Sequence, residues 1–259
     1  LFKPVILELG GKDPMLILDD ADINRSVEAA IWGGLSNAGQ TCISVERIYV
    51  QETIYLEVVT KISDKIKGIS SGAGDTPLGA ISVDAGMEKI KMQISDAREN
   101  ADVVEGSADS GWFIPPTLVI NPTSEAKILH DETFGPVITI QPFKSDEEAI
   151  KLANMTGYGL SASIFGRSQI RMKTIAEKIK TGTVSINDVL THYGIADLPF
   201  GGMGLSGMGK VHGKEGLRAF SRQKSYMSNR IQLKSEFWWY KRSEKFGKFL
   251  LKWIKWQYS

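Results

Sequence analysis

The one cysteine of the chain lies in a short polar segment that could carry nucleophilic chemistry. Cys42 ends the motif GQTC, with Gly39 and Thr41 before it and Ser44 after it. A thiol reacts as the thiolate, which needs a polar and partly open setting. Glycine lets the backbone come close to a ligand. Taken alone, this cysteine fits a small side chain packed in a core better than a nucleophile.

A carboxylate interrupts the apolar run VILEL near the start of the chain. Glu8 stands between Leu7 and Leu9, and burying an unpaired carboxylate costs several kcal/mol or raises its pKa. A raised pKa suits a general base that works near neutral pH. The alternative is a structural pairing of Glu8 with a backbone amide or with Lys12. The residues therefore offer Cys42 as nucleophile and Glu8 as base, 34 positions apart.

Composition argues against several other classes of function. The chain has 259 residues, 42% hydrophobic and 24% charged, as in ordinary globular proteins. A net charge of +1 produces no field that would attract nucleic acid. One cysteine cannot form an internal disulfide and no Cys/His cluster has metal-ligand spacing, so we expect no metal and a reducing, cytoplasmic location. The sequence has no run of about 18 apolar residues, so it predicts no membrane-spanning helix.

Strand-like and helix-like segments alternate along most of the chain. Such alternation predicts an α/β domain with a mostly parallel sheet flanked by helices. Residues 113–121 contain Pro115 and Pro116 and therefore predict an edge strand. The predicted strands are 5–9, 15–18, 47–51, 113–121, 137–143, 160–165 and 183–186, and the predicted helices are 22–37, 54–69, 84–99, 145–155 and 169–179.

A glycine-rich stretch imitates a dinucleotide-binding motif. Residues 202–207, GMGLSG, fit the pattern G-x-G-x-x-G. That pattern binds dinucleotides only between a strand and a helix, with an acidic residue about 20 positions further on. Here the corresponding positions are Arg222, Gln223 and Lys224. We therefore interpret the stretch as a turn.

The last 26 residues, 234–259, change in character. They hold four of the six tryptophans and seven Lys/Arg against two Glu. Aromatic residues interleaved with lysines at helical spacing are typical of an amphipathic helix lying in a membrane interface. The alternative is a helix that packs on the domain or on a partner subunit. The apolar stripe would comprise Phe246, Phe249, Leu250, Trp253 and Ile254, flanked by Lys245, Lys248, Lys252 and Lys255 and preceded by Trp238, Trp239 and Tyr240.

Five motifs in order resemble the signatures of the aldehyde dehydrogenase family. They are VILELGGKDP (5–14), LSNAGQTC (35–42), HDETFGPV (130–137), TGTVSIND (181–188) and LPFGGMGLSGMGKVHGKEG (198–216). Together they cover residues 1 to about 225. The GMGKVHGKEG ending is similar to the class 3 and fatty-aldehyde branch. The resemblance implies NAD(P)-dependent oxidation of an aldehyde to a carboxylic acid.

The resemblance also implies a role for each matched residue. Cys42 would attack the aldehyde to give a thiohemiacetal and then a thioester, and Glu8 would activate the water that hydrolyses it. The Cys42 amide would supply one oxyanion donor. For the cofactor, NAD or NADP, Glu132 and Phe134 would hold the nicotinamide ribose and the edge of its ring. Leu9 and Gly10 would line the nicotinamide pocket, and Asn187 would be structural.

The match implies an incomplete enzyme. Family members carry an NAD(P)-binding domain ahead of the LELGGK strand, and this chain begins at that strand with Leu1 rather than methionine. We expect a catalytic domain over 1–225 and a C-terminal extension over 226–259, in a fragment, a split gene product or an inactive relic. The expected partners are a second copy of the chain in a homo-oligomer, or a partner chain that supplies the cofactor domain. The alternative functions are a non-catalytic, partner-dependent subunit and a coenzyme-A-acylating enzyme, although the latter does not need Glu8.

Overall fold

The computed structural model describes residues 3–234, 236, 239 and 244–258. They fall into two units, Leu1–Ser221 and Arg222–Ser259, so the division lies four residues before the predicted boundary at 225. The first unit holds the sheets, and the second holds the C-terminal helix. Trp238 and Tyr240, predicted to precede that helix, lie outside the described residues. Within the described ranges, no helix has the length and apolar character needed to cross a bilayer.

The first unit is built on a seven-stranded sheet with the order β10-β9-β2-β3-β8-β7-β5. Every neighbouring pair is parallel except β5 and β7, which confirms the predicted α/β fold. The strands are β1 Leu7–Glu8, β2 Asp13–Ile17, β3 Val45–Gln51, β4 Ser70–Ser71, β5 Asp102–Glu105, β6 Ser107–Ala108, β7 Thr117–Ile120, β8 Val137–Phe143, β9 Ser161–Phe165, β10 Thr183–Ile186 and β11 Gly207–Met208. The helices are α1 Ile23–Leu35, α2 Tyr55–Lys67, α3 Asp84–Asn100, α4 Lys127–His130, α5 Asp146–Ala153, α6 Gln169–Ala176, α7 Gly213–Ala219 and α8 Glu244–Gln257.

Both faces of the main sheet are covered. Strand β2 is fully buried, and its alternate residues enter different cores because side chains alternate across a strand. Met15 and Ile17 join a cluster with Val58 of α2 and Ile90 of α3. Leu16 joins a second cluster on the side of α5 and α6. The carboxyl ends of the parallel strands therefore sit on a rigid, two-sided core.

The predicted edge strand is wrong in its position. Strand β7 pairs with β8 on one side and with β5 on the other. Pro115 and Pro116 precede its first residue, Thr117, so the missing N–H groups do not interrupt its ladder. On this side of the sheet the edge strand is β5. It is an antiparallel strand of four residues that directly follows α3, and it was not predicted.

Strand β1 lies outside the main sheet and on the surface. It is two residues long rather than five, and it pairs antiparallel with β11, Glu8 opposite Gly207. The glycine-rich stretch forms a short turn over Gly204–Ser206 followed by β11, so it does not lead from a strand into a helix. A Cβ on Gly207, whose φ is +117°, would lie 2.0 Å from the Leu7 carbonyl oxygen. Glycine at this position therefore allows the pairing that holds Glu8.

Candidate active site

Cys42 is presented by a tight turn that follows α1. Asn37 and Ala38 both adopt a left-handed φ of 54° and Gly39 a φ of 70°, so the chain reverses sharply before the thiol. A Cβ on Gly39 would lie 2.0 Å from the carbonyl oxygen of Gly135. The turn is thus packed against the segment that follows Glu132 and Phe134, which fixes two predicted parts of the site relative to each other.

Gln40 fastens the same turn from another direction. Its side-chain Nε2 donates to the Ala80 carbonyl at 3.0 Å, and its Oε1 accepts from the Ser82 amide at 2.9 Å. These bonds join the turn to the segment that leads into α3. The Gln40 side chain therefore holds the loop that carries the thiol.

The structure brings the two predicted reactive side chains together. The Sγ atom of Cys42 lies 4.0 Å from Oε2 of Glu8. Glu8 is aligned by the pairing of β1 with β11 and by a bond from the Leu9 amide to the Ser206 carbonyl at 3.1 Å. Lys12, the alternative partner of Glu8, bonds to Glu46 instead. That alternative is wrong, and Glu8 faces the thiol.

Burial keeps the thiol protonated at neutral pH. Desolvation, followed by the negative charges of Glu8 and Asp13, raises the pKa of Cys42 to about 11, against smaller opposing effects of the Cys42 and Ile43 amides. Partial desolvation also raises the pKa of Glu8. Glu8 is nevertheless exposed on the surface strand, so its expected burial in an apolar strand is wrong. A carboxylate beside a protonated thiol can accept its proton.

The thiol borders an apolar cluster. Cys42 is partly exposed and packs against a small core formed by Ile43, Leu160 and Phe200. The ring of Phe200 meets that of Tyr193 edge-on, with centroids 4.9 Å apart. The cysteine is therefore neither fully buried nor fully open, and one side of it is apolar.

Two of the predicted cofactor-binding residues, Gly10 and Glu132, lie against each other. Oε1 of Glu132 accepts from the Gly11 amide at 3.0 Å, and a Cβ on Gly10 would lie 2.4 Å from either carboxylate oxygen. Leu9 is 46% exposed and Phe134 is 40% exposed. Two exposed apolar side chains suit contact with a flat ring. A carboxylate beside them can accept hydrogen bonds from the hydroxyl groups of an attached sugar.

A buried ion pair supports this group, and its partners were not predicted as a pair. The Lys12 ammonium donates to the Glu46 carboxylate and, at 3.0 Å, to Oγ1 of Thr133. Glu46 in turn accepts the amides of Thr133 at 2.9 Å and Phe134 at 3.0 Å. Both charged side chains are buried, and Phe134 has a φ of +54°. The pair therefore holds the strained turn that places Glu132 and Phe134.

Asn187, predicted to be structural, makes hydrogen bonds with two other segments of the chain. Its side chain donates to the Gly166 carbonyl at 2.9 Å and accepts the Gly166 amide at 3.0 Å. Its own carbonyl accepts from the Arg25 guanidinium at 2.8 Å. These bonds join the ends of β9 and β10 to the start of α1.

Asp13 is a buried carboxyl beneath the thiol. It bonds to the Ser161 hydroxyl and accepts the Ser161 amide at 3.1 Å. Gly11 separates it from Cys42: a Cβ on Gly11 would lie 2.4 Å from the Cys42 carbonyl oxygen and 2.9 Å from Oδ1 of Asp13. Burial raises the pKa of Asp13 to about 8, so the folded state holds this group protonated at neutral pH.

We expect Asp13→Asn to flatten the pH dependence of stability. The pKa of Asp13 is about 8 in the folded chain against an ordinary value of 3.8, so between these values the folded state binds more protons than the unfolded state. Stability present at pH 4 is therefore lost as pH rises toward 8, by up to about 1.4 kcal/mol per unit. Asparagine can keep both bonds to Ser161 without ionising.

The measurement is the free energy of urea unfolding at pH 5, 6.5 and 8. The parent should lose up to about 4 kcal/mol across this range, and Asp13→Asn should lose much less. Asp64→Asn, which changes a carboxylate 69% exposed, is the matched control and should behave as the parent. Equal slopes for Asp13→Asn and the parent would contradict the protonated state of Asp13.

Comparison with known proteins places this site in a family. The model of the aldehyde dehydrogenase family matches residues 1–226. A 4,4'-diapolycopene aldehyde oxidase of Methylomonas sp is 39% identical over 244 residues, which cover 92% of this chain and 45% of that protein. A succinate-semialdehyde dehydrogenase (NADP(+)) of Deinococcus radiodurans is 35% identical over 229 residues, which cover 86% of this chain and 48% of that protein.

Solved structures agree with the sequence matches. The crystal structure of betaine aldehyde dehydrogenase from Staphylococcus aureus in complex with NAD+ has a TM-score of 0.81 and 36% sequence identity, covering 91% of this chain and 48% of that one. The chain thus spans about half the length of the relatives it matches. Its placement in the class 3 branch stays a prediction. Because the family model covers most of the sequence and the fold agrees, the chain belongs to the aldehyde dehydrogenase family.

Proposed function

We propose that this chain carries the thiol chemistry of NAD(P)-dependent oxidation of an aldehyde to a carboxylic acid. The observation that carries the proposal is the 4.0 Å approach of the Cys42 sulfur to the Glu8 carboxylate. Nucleophile and base within reach of each other are what covalent catalysis requires. The family membership adds that the substrate is an aldehyde.

The first step joins Cys42 to the substrate. Glu8 accepts the thiol proton, and the sulfur attacks the aldehyde carbon, forming a C–S bond and an oxyanion that takes up a proton to give a thiohemiacetal. Glu8 fits this task because it lies 4.0 Å from the sulfur and its own pKa is raised, whereas the raised pKa of Cys42 opposes the transfer. The Cys42 amide is the proposed oxyanion donor.

The residues around Gly10 fit the nicotinamide end of NAD or NADP, which supplies the hydride acceptor when bound. Glu132 would accept hydrogen bonds from the ribose hydroxyl groups. The nicotinamide ring would be in contact with Leu9, Gly10 and Phe134. The supporting observations are the exposed side chains of Leu9 and Phe134 beside the partly buried Glu132 carboxylate. Lys12 and Glu46 hold this arrangement through the Thr133 and Phe134 amides.

The last step releases the acid. Loss of hydride and the hydroxyl proton from the thiohemiacetal would leave a thioester. Glu8, again ionised, takes a proton from water, the oxygen attacks the thioester carbon, and the C–S bond breaks. The departing sulfur takes the proton from Glu8 to return the thiol. A coenzyme-A-acylating enzyme would use a second thiol in place of water and would not need Glu8. The short distance between Glu8 and Cys42 therefore favours hydrolysis.

An activated ester tests the thiol chemistry without the cofactor. p-Nitrophenyl acetate acylates a nucleophilic thiol directly, and its hydrolysis then needs only an activated water. We expect the 259-residue chain to release p-nitrophenol and acetate catalytically, with transient acetylation of Cys42 seen by mass spectrometry. No release from a folded chain would contradict the proposal, and formation of acetyl-coenzyme A in preference to acetate when coenzyme A is added would favour the acylating alternative.

We expect the 259 residues alone to oxidise aldehydes poorly and to bind dinucleotides weakly. The chain spans about half the length of its relatives, and positioning of the reacting groups can be worth roughly 7–11 kcal/mol. Isothermal titration with NAD and with NADP should give dissociation constants weaker than about 100 µM. The Staphylococcus aureus betaine aldehyde dehydrogenase, titrated in parallel, is the positive control.

Micromolar affinity for either dinucleotide would show that these residues form a complete cofactor site. Weak binding would instead be consistent with a partner chain that supplies the remaining contacts. Ester hydrolysis without aldehyde oxidation is the result expected under the proposal.

A further inference from the structure

The second unit differs sharply in charge from the first. Residues 222–259 contain ten Lys/Arg and two Glu, a net charge of +8, in a chain whose total is +1. The first 221 residues therefore carry −7. The family model ends at residue 226, so nearly all of this positive segment lies outside the matched family domain. A basic extension that follows an acidic domain in the sequence indicates an anionic partner.

Helix α8 separates its apolar and basic residues onto different faces. Phe249 and Trp253 lie four positions apart on one face, and they are 62% and 46% exposed. Lys248, Leu251 and Lys255 lie three and four positions apart on another face. The helix has no buried residue, and Ile254 is 41% exposed. Large apolar side chains are therefore presented along one side of a helix about 21 Å long.

The two faces together narrow the kind of anionic partner. Nucleic acid would neutralise the lysines but would offer a helix no continuous apolar phase for phenylalanine, tryptophan and isoleucine side chains. A second copy of α8 could cover the apolar face, but it would bring a second set of four lysines close to the first. An anionic lipid surface supplies both negative charge and an apolar interior within a few ångströms.

We propose that the second unit binds the surface of anionic phospholipid bilayers through α8, which lies in the plane of the interface. Phe249, Trp253 and Ile254 enter the acyl boundary, and the lysines stay at the headgroups, where their long side chains can reach the phosphates. This binding does not depend on the thiol chemistry, so it can be tested in a chain whose Cys42 is replaced.

The experiment is flotation of the full chain with vesicles. Vesicles of phosphatidylcholine with 40% phosphatidylglycerol are compared with pure phosphatidylcholine, each at 50 mM and 300 mM NaCl. The full chain should float with the anionic vesicles at low salt and should bind several-fold less at high salt, because salt screens the headgroup charge. Binding to pure phosphatidylcholine should be much weaker.

Two matched variants test whether binding depends on the apolar face of α8 or only on the total hydrophobicity of the helix. Phe249 is 62% exposed and Leu251 is 61% exposed, but they lie roughly 200° apart around the helix. Phe249→Ser should lower the partition coefficient about tenfold or more, whereas Leu251→Ser should change it less than about twofold. The double variant Lys248→Gln/Lys252→Gln should lose about fivefold per lysine at low salt.

Other outcomes would overturn the inference. These are equal flotation with neutral and anionic vesicles, equal losses for Phe249→Ser and Leu251→Ser, or no flotation of a folded chain. Binding to single-stranded DNA without binding to vesicles would assign the tail to nucleic acid. A Phe249-dependent dimer that persists at high salt without lipid would assign it to a second copy.

Discussion

Replacing Cys42 by serine should abolish the covalent chemistry of the chain. Cys42 is the sole thiol, and a hydroxyl in the same place is far less nucleophilic than a thiolate. With p-nitrophenyl acetate, the parent should show a burst of about one p-nitrophenol per chain, and Cys42→Ser should show none. Intact-mass measurement should find the acetyl group on the parent alone. Unfolding curves of both proteins check that the substitution leaves the fold intact.

The pH profile of alkylation distinguishes a reactive thiol from a buried one. Because the pKa of Cys42 is about 11, the thiolate fraction should rise about tenfold per pH unit between pH 7 and 10. Iodoacetamide labelling of the folded parent should follow that rise. If Cys42 stays unlabelled in the native chain across this range and reacts only after denaturation, it is a structural thiol and the proposed nucleophile is wrong.

Replacing Glu8 by glutamine should slow release of the acyl group by about 10²–10⁴-fold, the usual size for a positioned base. The amide keeps the shape of the side chain but cannot take a proton from water. The p-nitrophenol burst should survive while the steady-state rate falls, so acetylated Cys42 should accumulate. Glu57→Gln, at an exposed carboxylate that is 56% accessible, is the control and should leave both phases unchanged.

Charge gives a second readout for Glu8. Its carboxylate is one of the causes that raise the pKa of Cys42. Removing that charge should therefore shift the alkylation profile of Glu8→Gln toward lower pH, even though turnover falls. A deacylation rate equal to that of the parent in single-turnover experiments would remove Glu8 from the mechanism.

The proximity of Cys42 and Glu8 was predictable from sequence because the ordered motifs indicated both residues. Taken alone, Cys42 after its turn and Glu8 in an apolar run each also fit a structural role, and the ordered motifs favoured the catalytic one. The Lys12–Glu46 pair was not predictable in the same way. Its partners meet because β2 lies beside β3 with a register shift between Asp13 and Pro14, and pairing register is a property of the tertiary fold.

The errors in the fold have a similar origin. Prolines 115 and 116 indicated an edge, but whether β7 is an edge depends on the unrelated segment β5, which adds a further antiparallel strand. The run at 5–9 was predicted as a strand that buries Glu8. Among the described residues it pairs with the short β11 alone, and it is exposed at the surface. In both cases the local pattern was correct and the neighbouring strand decided the outcome.

Glu46 couples the stability of the main sheet to that of the turn at Thr133 and Phe134. Its carboxylate is carried by β3, a central strand of the main sheet, and it binds the two amides that shape the turn at Thr133 and Phe134. Opening of the turn while the sheet stays folded is therefore costly in free energy, because it would leave a buried charge without its partners. The proposed ring-binding surface would therefore be lost in the same cooperative transition as the sheet, and a chain that is folded would already have it in place.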